Sequence, residues 1–435
     1  MTTTPSTTDA TTDATTDATT VRQHFPARES IDVHGLLSEV EAVPGGGALA
    51  VGDPRIQEFL GTLSRLLLKP EVMRSHPELG ALGFFLRQSE LSRVLDALDD
   101  SGDRRHDRRL DRLRFPRGLV FHIPPANVDT VFVYSWALSA LAGNANIVRL
   151  SDRGGGVSEV ILDALHAALG TAHPAVRQTQ RLIGYERCDA TTDALSAACD
   201  LRVIWGGDAS VNAIRRHPLR PSARDLSFPD RSSLAAISVR GWQEAGRNER
   251  RNAADGFAND SYWFDQAACS SPRTLFWIGD EAGAAAAREE FEELLSEVIV
   301  ARGFGVDPAM AVEKHVAAYG MAAEGDANAV RFRGNALATI DLTAPTGMPR
   351  RWLGTGTFAC SVLGSLADLV PLICRKDQTL SAFGFPAGAL RDFATAAGGR
   401  GIDRIVPFGS ALTFAATWDG YDLMREFTRL TTLSS

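Results

Sequence analysis

The sequence predicts an α/β protein with a doubly wound parallel sheet, a second α/β unit and a short C-terminal strand segment. Three observations carry that prediction. Between positions 118 and 215, short apolar runs alternate with helix-periodic segments, the pattern of parallel strands joined by crossover helices. A second series of apolar runs begins at Leu234. Third, 44% hydrophobic and 23% charged residues over 435 positions is the composition of a globular chain with length for two or three domains.

In chain order, residues 1–20 repeat the unit TTDA, too poor in apolar side chains to offset the entropy of ordering, so a disordered tail is expected through 25 and ordered structure from near Val33. Residues 54–66 and 86–98 place apolar side chains at helical spacing. The Arg- and Asp-rich stretch 99–114 reads as a solvated helix or loop. The run 118–123 is a strand closed by Pro124-Pro125, and 131–141, apolar all round, is a buried helix ended by Gly143-Asn144. Strands follow at 145–150, 181–184 and 201–205, with helices over 157–169, 190–198 and 209–215, the last opened by Gly206-Gly207. Strand candidates at 274–278, 336–340 and 358–362 make the second unit. Strands around the turn in 401–415 and a helix through 422–430 end the chain.

Composition excludes several functions. A net charge of -8 opposes a role coating nucleic acid, which needs a basic surface. No run of 18 apolar residues offers a membrane span. The five cysteines are odd in number and none forms a C-x-x-C pair, so neither a disulfide framework nor a zinc ribbon is expected. With no signal-like segment at the start, a cytoplasmic location is expected.

Four segments carry more specific information: GLVFHIPPANVDTVFVYSWALSALAGNANIVRL at 118–150, IWGGDASVNAIRRH at 204–217, WFDQAACSSP at 263–272 and GIDRIVPFG at 401–409. Their own chemistry is suggestive. Cys269 sits among Gln266, Ser270, Ser271 and Pro272, a polar loop in which backbone N–H groups can hold a thiolate; the plainer alternative is a small buried hydrophobe. Gly206-Gly207 opens a helix directly after a strand, where free N–H groups can meet a phosphate, and Ser210 can help cap that helix. Arg149 ends a strand, the edge at which doubly wound sheets bind ligands, and a surface ion pair is its alternative role.

In this order and spacing the four segments resemble the acyl-CoA reductases of the bacterial luciferase-associated fatty acid reductase type, a branch of the aldehyde dehydrogenase superfamily, over about residues 30–430. The resemblance implies an aldehyde dehydrogenase-like fold: a nucleotide-binding domain over 26–240 with a helical N-terminal section, a catalytic domain over 241–405 and a C-terminal segment over 406–435 used in oligomerisation. It implies that Cys269 is the nucleophile, and that the side chain of Asn127, whose plainer use is a turn after the double proline, joins the Cys269 N–H in holding the oxyanion. Arg149, Ser151, Gly206, Gly207 and Ser210 are implied for the cofactor, with the planar fork of Arg149 favouring the 2′-phosphate of NADPH over NADH. Arg404, Pro407 and Gly409 match a C-terminal signature that is structural, with Arg404 also able to face substrate. The aromatic group at Trp418 and Tyr421, with Asp419 between, reads as core or interface.

Oxidising members carry a Glu that activates water; the corresponding stretch here, Ser227 to Leu234, has none, although Asp230 stands nearby. The expected activity is therefore NADPH-dependent reduction of an acyl-CoA or acyl carrier protein thioester to the aldehyde through an S-acyl-cysteine. A CoA-acylating aldehyde dehydrogenase using NAD, and a catalytically silent subunit beside an acyl-transferring partner enzyme, are the alternatives. The resemblance also implies a homo-oligomer, and no metal is expected.

Overall fold

The computed structural model describes residues 19–42, 47–98, 110–125, 130–150 and 156–434. Two seven-stranded sheets organise it. The first comprises β1 (Thr20–Phe25), β2 (Glu29–Asp32), β4 (Leu119–Ile123), β5 (Ala145–Leu150), β6 (Gln180–Gly184), β7 (Leu201–Trp205) and β8 (Arg224–Phe228), in the order β2-β1-β6-β5-β4-β7-β8. Strands β6 through β8 run parallel, while β1 is antiparallel to both β2 and β6. The second sheet holds β9 (Ser232–Ser238), β10 (Pro272–Ile278), β11 (Ala327–Arg333), β12 (Leu337–Leu342), β13 (Thr357–Leu363), β14 (Asp377–Phe383) and β15 (Arg404–Pro407), ordered β11-β12-β13-β10-β9-β14-β15 and parallel except for the β11 edge. A hairpin of β16 (Thr417–Trp418) and β17 (Tyr421–Asp422) and a ribbon of β3 (Leu110–Pro116) with β18 (Thr428–Ser434) complete the strands of the described residues.

The central strands were legible because a parallel strand covered on both faces is apolar throughout: every residue of Leu119–Ile123 and of Gln180–Gly184 is buried. Helix Thr130–Leu141 packs between sheet and N-terminal helices, with Tyr134 and Trp136 fully buried. Beneath it the buried His122 is clamped neutral, Nδ1 2.9 Å from Ser135 Oγ and Nε2 2.9 Å from Asn146 Oδ1, and burial pushes its imidazole down to about 4. Helix Pro54–Leu67 shows why its sequence starts a helix there. Pro54 fills the first position, Asp53 accepts from the Arg55 N–H, and Ile56, Phe59, Leu60, Leu63 and Leu67 recur on one buried stripe.

Several boundaries differ from expectation. The chain is ordered before Val33: TVRQHF at 20–25 forms β1, burying Val21, Gln23 and Phe25 on alternate positions, so the expected tail through 25 overlaps a strand. Residues 110–114, within the stretch 99–114 read as a solvated helix or loop, belong to β3, which pairs with Thr428–Ser434, itself expected to be helix through 430; charged residues along β3 hid a strand whose partner lies at the other end of the chain. In 401–415 the strand is confined to β15, with turns beyond. The first sheet ends at Phe228 and the second begins at Ser232, so the division falls before 240.

Candidate active site

The first sheet turns its C-terminal strand ends toward the N-terminal ends of the second, and a cavity of about 540 Å³ lies between them. In the first sheet, β5 and β6 wind to one side of β4 while β7 and β8 wind to the other. A crevice at such a reversal is where open α/β sheets bind ligands. Pro125 just beyond β4, and Trp205, Gly206 and Gly207 at the end of β7, line the cavity. Opposite them stand Pro229 and Asp230 from the β8–β9 connection, Cys269 and Ser270 just before β10, and Gln378 at the start of β14.

The rest of the wall is apolar. Met73, Ala81 and Phe84 reach it from helices Pro70–Ser75 and Leu79–Phe85; Trp263 and Phe264 precede the cysteine; Leu412, Phe414 and Trp418 come from the C-terminal loop. None of the aromatic or aliphatic wall was singled out as site-forming from sequence, except that Trp418 was read as core; it packs on Phe414 and Tyr134 while also lining the cavity.

Two anchors hold the wall. Phe264, Asp265 and Gln266 adopt φ of 54°, 53° and 58°, a left-handed conformation that costs non-glycine residues about 1–2 kcal/mol each. Hydrogen bonds hold it. The Gln266 amide donates to Pro272 O (2.8 Å) and Thr357 O (3.1 Å) and accepts from Thr357 N (3.2 Å), while Trp352 Nε1 donates to Asp265 O (2.9 Å). This tight reversal delivers Phe264 and Cys269 to the same cavity. The second anchor is Asp260 on helix Arg247–Tyr262, whose carboxylate accepts from the Gly409 and Ala411 N–H groups, both at 2.8 Å. One turn earlier Gly256 lets the loop approach so closely that a Cβ there would lie 2.8 Å from Phe408 O.

Electrostatics at the sulfur do not favour a resting thiolate. Burial pushes the Cys269 thiol up, and the negative charges of Asp419 and Asp230 add to that, against the Arg231 backbone N–H and the Arg273 guanidinium, which lower it. The sequence expectation of a thiolate held by N–H groups is corrected accordingly: the N–H is present, but burial outweighs it.

Asp419 is a residue whose place in the cavity sequence reasoning missed. It is 5% exposed, lines the cavity with Cys269, and sits at φ 49° in the turn between β16 and β17. Gln378 Nε2 donates to its Oδ1, and the Arg231 guanidinium stands 3.9 Å from its Oδ2. Nothing local in Trp-Asp-Gly-Tyr announces this, because the contacts come from strands 40 and more residues away in sequence.

Of the residues singled out from sequence, Cys269, Gly206 and Gly207 meet in the cavity. Arg149 is at the end of β5 on the same sheet edge, its guanidinium 4.4 Å over the Tyr185 ring, and it does not line the cavity. Ser210 lies in the first turns of helix Asp208–Arg215, whose N-cap is Gly207 without a side-chain cap bond, so Ser210 does not cap it. Arg404 donates to the carbonyls of Ala411, Ser410 and Thr413 and stacks 4.6 Å over Trp418; it supports the wall from behind and is not among the cavity-lining residues. Asn127 and Ser151 lie outside the described residues, although Pro125 and Thr130, on either side of the former, both line the cavity. Among the described residues no group of three or more His, Cys, Asp or Glu side chains is placed to hold a metal, and no helix is long and apolar enough to cross a membrane.

Comparison with known proteins agrees with this geometry. Residues 78–312, just over half of the chain, match the family described as Acyl-CoA reductase (LuxC). The sequence is 25% identical over 167 residues to Long-chain acyl-protein thioester reductase 2 of Photobacterium leiognathi, covering 38% of this chain and 33% of that protein. It is 24% identical over 336 residues to the Long-chain acyl-protein thioester reductase of Photorhabdus luminescens, covering 74% of this chain and 64% of that one. The chain thus spans between about a third and two thirds of the curated relatives it matches. Among solved structures, an NAD-dependent aldehyde dehydrogenase from Sinorhizobium meliloti superposes with a TM-score of 0.65 at 14% identity over 93% of this chain and 86% of that one. The P. syringae indole-3-acetaldehyde dehydrogenase AldA, solved with NAD+ and IAA, gives 0.65 at 12% identity, covering 93% of this chain and 89% of that one. The fold is therefore that of the aldehyde dehydrogenases.

Proposed function

The chain belongs to the acyl-CoA reductase (LuxC) family, and on that premise we propose that it reduces an acyl thioester, carried on CoA or on a protein, to the aldehyde at Cys269. The observation that carries this reading is the joining, in one cavity, of a single thiol, an apolar aromatic wall and a glycine-edged crevice at the switch point of a doubly wound sheet. The sulfur of Cys269 attacks the thioester carbonyl carbon and releases the carrier thiol. Its backbone N–H and the Asn127 side chain hold the oxyanion. Phe84, Phe264, Leu412 and Phe414 pack the acyl chain and exclude water from the S-acyl-cysteine.

The crevice suits a nicotinamide dinucleotide. Gly207 starts helix Asp208–Arg215 with no side-chain cap among the described residues, so its first N–H groups are open to a ligand, and a Cβ there would meet nothing within 4 Å. Thr130 Oγ1, on the cavity wall, is buried without a hydrogen-bond partner among the described residues. Such a cofactor supplies the hydride. Arg149, on the same sheet edge, is proposed to meet the 2′-phosphate, which makes NADPH the preferred form, with Ser151 and Ser210 proposed as further cofactor contacts. The stretch where a water-activating Glu would stand contributes Phe228, Pro229 and the exposed Asp230, which favours reduction over hydrolysis.

Purified protein given acyl-CoA and NADPH is expected to consume NADPH and release aldehyde in equal amounts, more slowly with NADH. The Arg149→Ala variant is expected to lose most of that preference. Release of free acid with no nicotinamide oxidation would count against the reading. Aldehyde oxidation that requires CoA and NAD, with no reverse reaction, would favour the CoA-acylating alternative.

One face of the β3–β18 ribbon leaves Leu113, Phe115 and Leu433 exposed at 40–50%, an apolar surface that a second copy would cover, and we take it as the self-association surface. Light scattering is expected to give a multiple of the chain mass that falls to one chain in Phe115→Glu; a wild-type single chain at micromolar concentration would refute this.

A further inference from the structure

A second cavity, of about 400 Å³, adjoins the catalytic one, and Pro229, Asp230 and Asp419 line both. Its remaining wall sets the charges of Asp208, Arg215, Arg375 and Lys376 beside Val211 and Tyr421. Asp419 is thus a buried carboxyl on the partition between an apolar chamber that holds the thiol and a second chamber edged with charged side chains. Arg231 bears on both groups: its backbone N–H lowers the pKa of the Cys269 thiol electrostatically, while a guanidinium nitrogen stands 3.9 Å from Asp419 Oδ2. Asp403, held at 2.6 Å by the same guanidinium, and Arg404 are the other charges that bear on Asp419, and Gln378 fixes its orientation.

We propose that Asp419 is the proton relay of the reaction, exchanging protons with the Cys269 sulfur on one side and with water in the second cavity on the other. This rests on the acyl-thioester reading above. In the acylation step the carboxylate takes the thiol proton as sulfur bonds to the carbonyl carbon; the bond from that carbon to the carrier sulfur breaks, and the carrier leaves with the proton. In the second half, once the acyl carbon has received hydride, the carbon–Sγ bond breaks, aldehyde departs, and the thiolate takes a proton that Asp419 has drawn from water. One proton is consumed per turnover, which together with the hydride makes up the two electrons and two protons that a thioester needs to become aldehyde and thiol. Burial suits the role: it pushes the Asp419 carboxyl up to about 6, close to neutral operating conditions, where a group both accepts and gives protons readily.

Asp419→Asn keeps the side-chain shape at a φ that Asn tolerates, and Asp419→Gly suits that φ without strain. Two readouts separate a relay from a structural role. Turnover with acyl-CoA and NADPH is expected to fall about 100-fold in both variants, and formate is expected to restore at least a tenth of it in the glycine variant. The pH profile of Cys269 alkylation by iodoacetamide, which needs no acyl substrate, is expected to shift to lower pH in Asp419→Asn, because removal of a negative charge stabilises the thiolate. Unchanged turnover, or loss without formate rescue, overturns the relay. An alkylation profile that does not shift, or that shifts to higher pH, overturns the coupling to the sulfur, even for a chain that proves to have no acyl-thioester activity. If the variants lose only release of free acid and keep aldehyde formation, the carboxylate activates water and the relay is likewise overturned.

Discussion

Cys269→Ala is expected to lower aldehyde formation by about 1,000-fold or more while leaving the fold and nicotinamide binding intact, the scale seen when a covalent nucleophile is removed. The expectation follows from position. Cys199 and Cys360 are buried in the hydrophobic cores, Cys188 and Cys374 lie away from the cavity, and Cys269 is the cysteine among the lining residues. Alanine there deletes a sulfur that touches no core cluster, so stability should barely change. The check is steady-state turnover beside a thermal unfolding curve. A variant that retains a tenth of wild-type turnover would assign the chemistry to another group.

Asp260→Ala is expected to destabilise the chain by about 3 kcal/mol, because two buried backbone donors, Gly409 and Ala411, lose their acceptor at once. It should also weaken acyl-chain binding, since the loop so anchored carries Leu412 and Phe414 into the cavity. The sign of its pH dependence is fixed. Burial pushes the Asp260 carboxyl up to about 6 in the folded chain, above its unfolded value of 3.8, so between these limits the folded state binds more protons. The stability this group contributes is full below about 4 and declines as pH rises through about 6. The gap between wild type and Asp260→Ala should therefore shrink over that range, as read from denaturant unfolding at pH 4 and pH 7. A gap that widens with pH would contradict the burial argument.

What the sequence disclosed follows the physics of each element. Buried parallel strands such as Leu119–Ile123 and Leu201–Trp205 announce themselves as apolar runs, and the cysteine and double glycine stand in local motifs. Elements defined by distant partners were hidden. The strand Leu110–Pro116 is a strand because Thr428–Ser434 lies beside it, and its own residues alternate charge with bulk in a way that equally suits a solvated segment. The cavity wall was illegible for the same reason. Phe84 and Phe414 lie 330 positions apart, and no spacing rule brings them together. Asp419 was grouped with its aromatic neighbours as core or interface; its place in the cavity depends on Gln378 and Arg231, which only the assembled second sheet brings within reach.

The central claim is that the carbonyl carbon of a thioester becomes bonded to Sγ of Cys269. Intact-protein and peptide mass spectrometry after incubation with acyl-CoA, with no nicotinamide present, tests this directly. The account predicts a mass increase of one acyl group, located on the peptide containing residue 269 and discharged as aldehyde when NADPH is added. A chain that stays unmodified, or carries the acyl group on another residue, would contradict it.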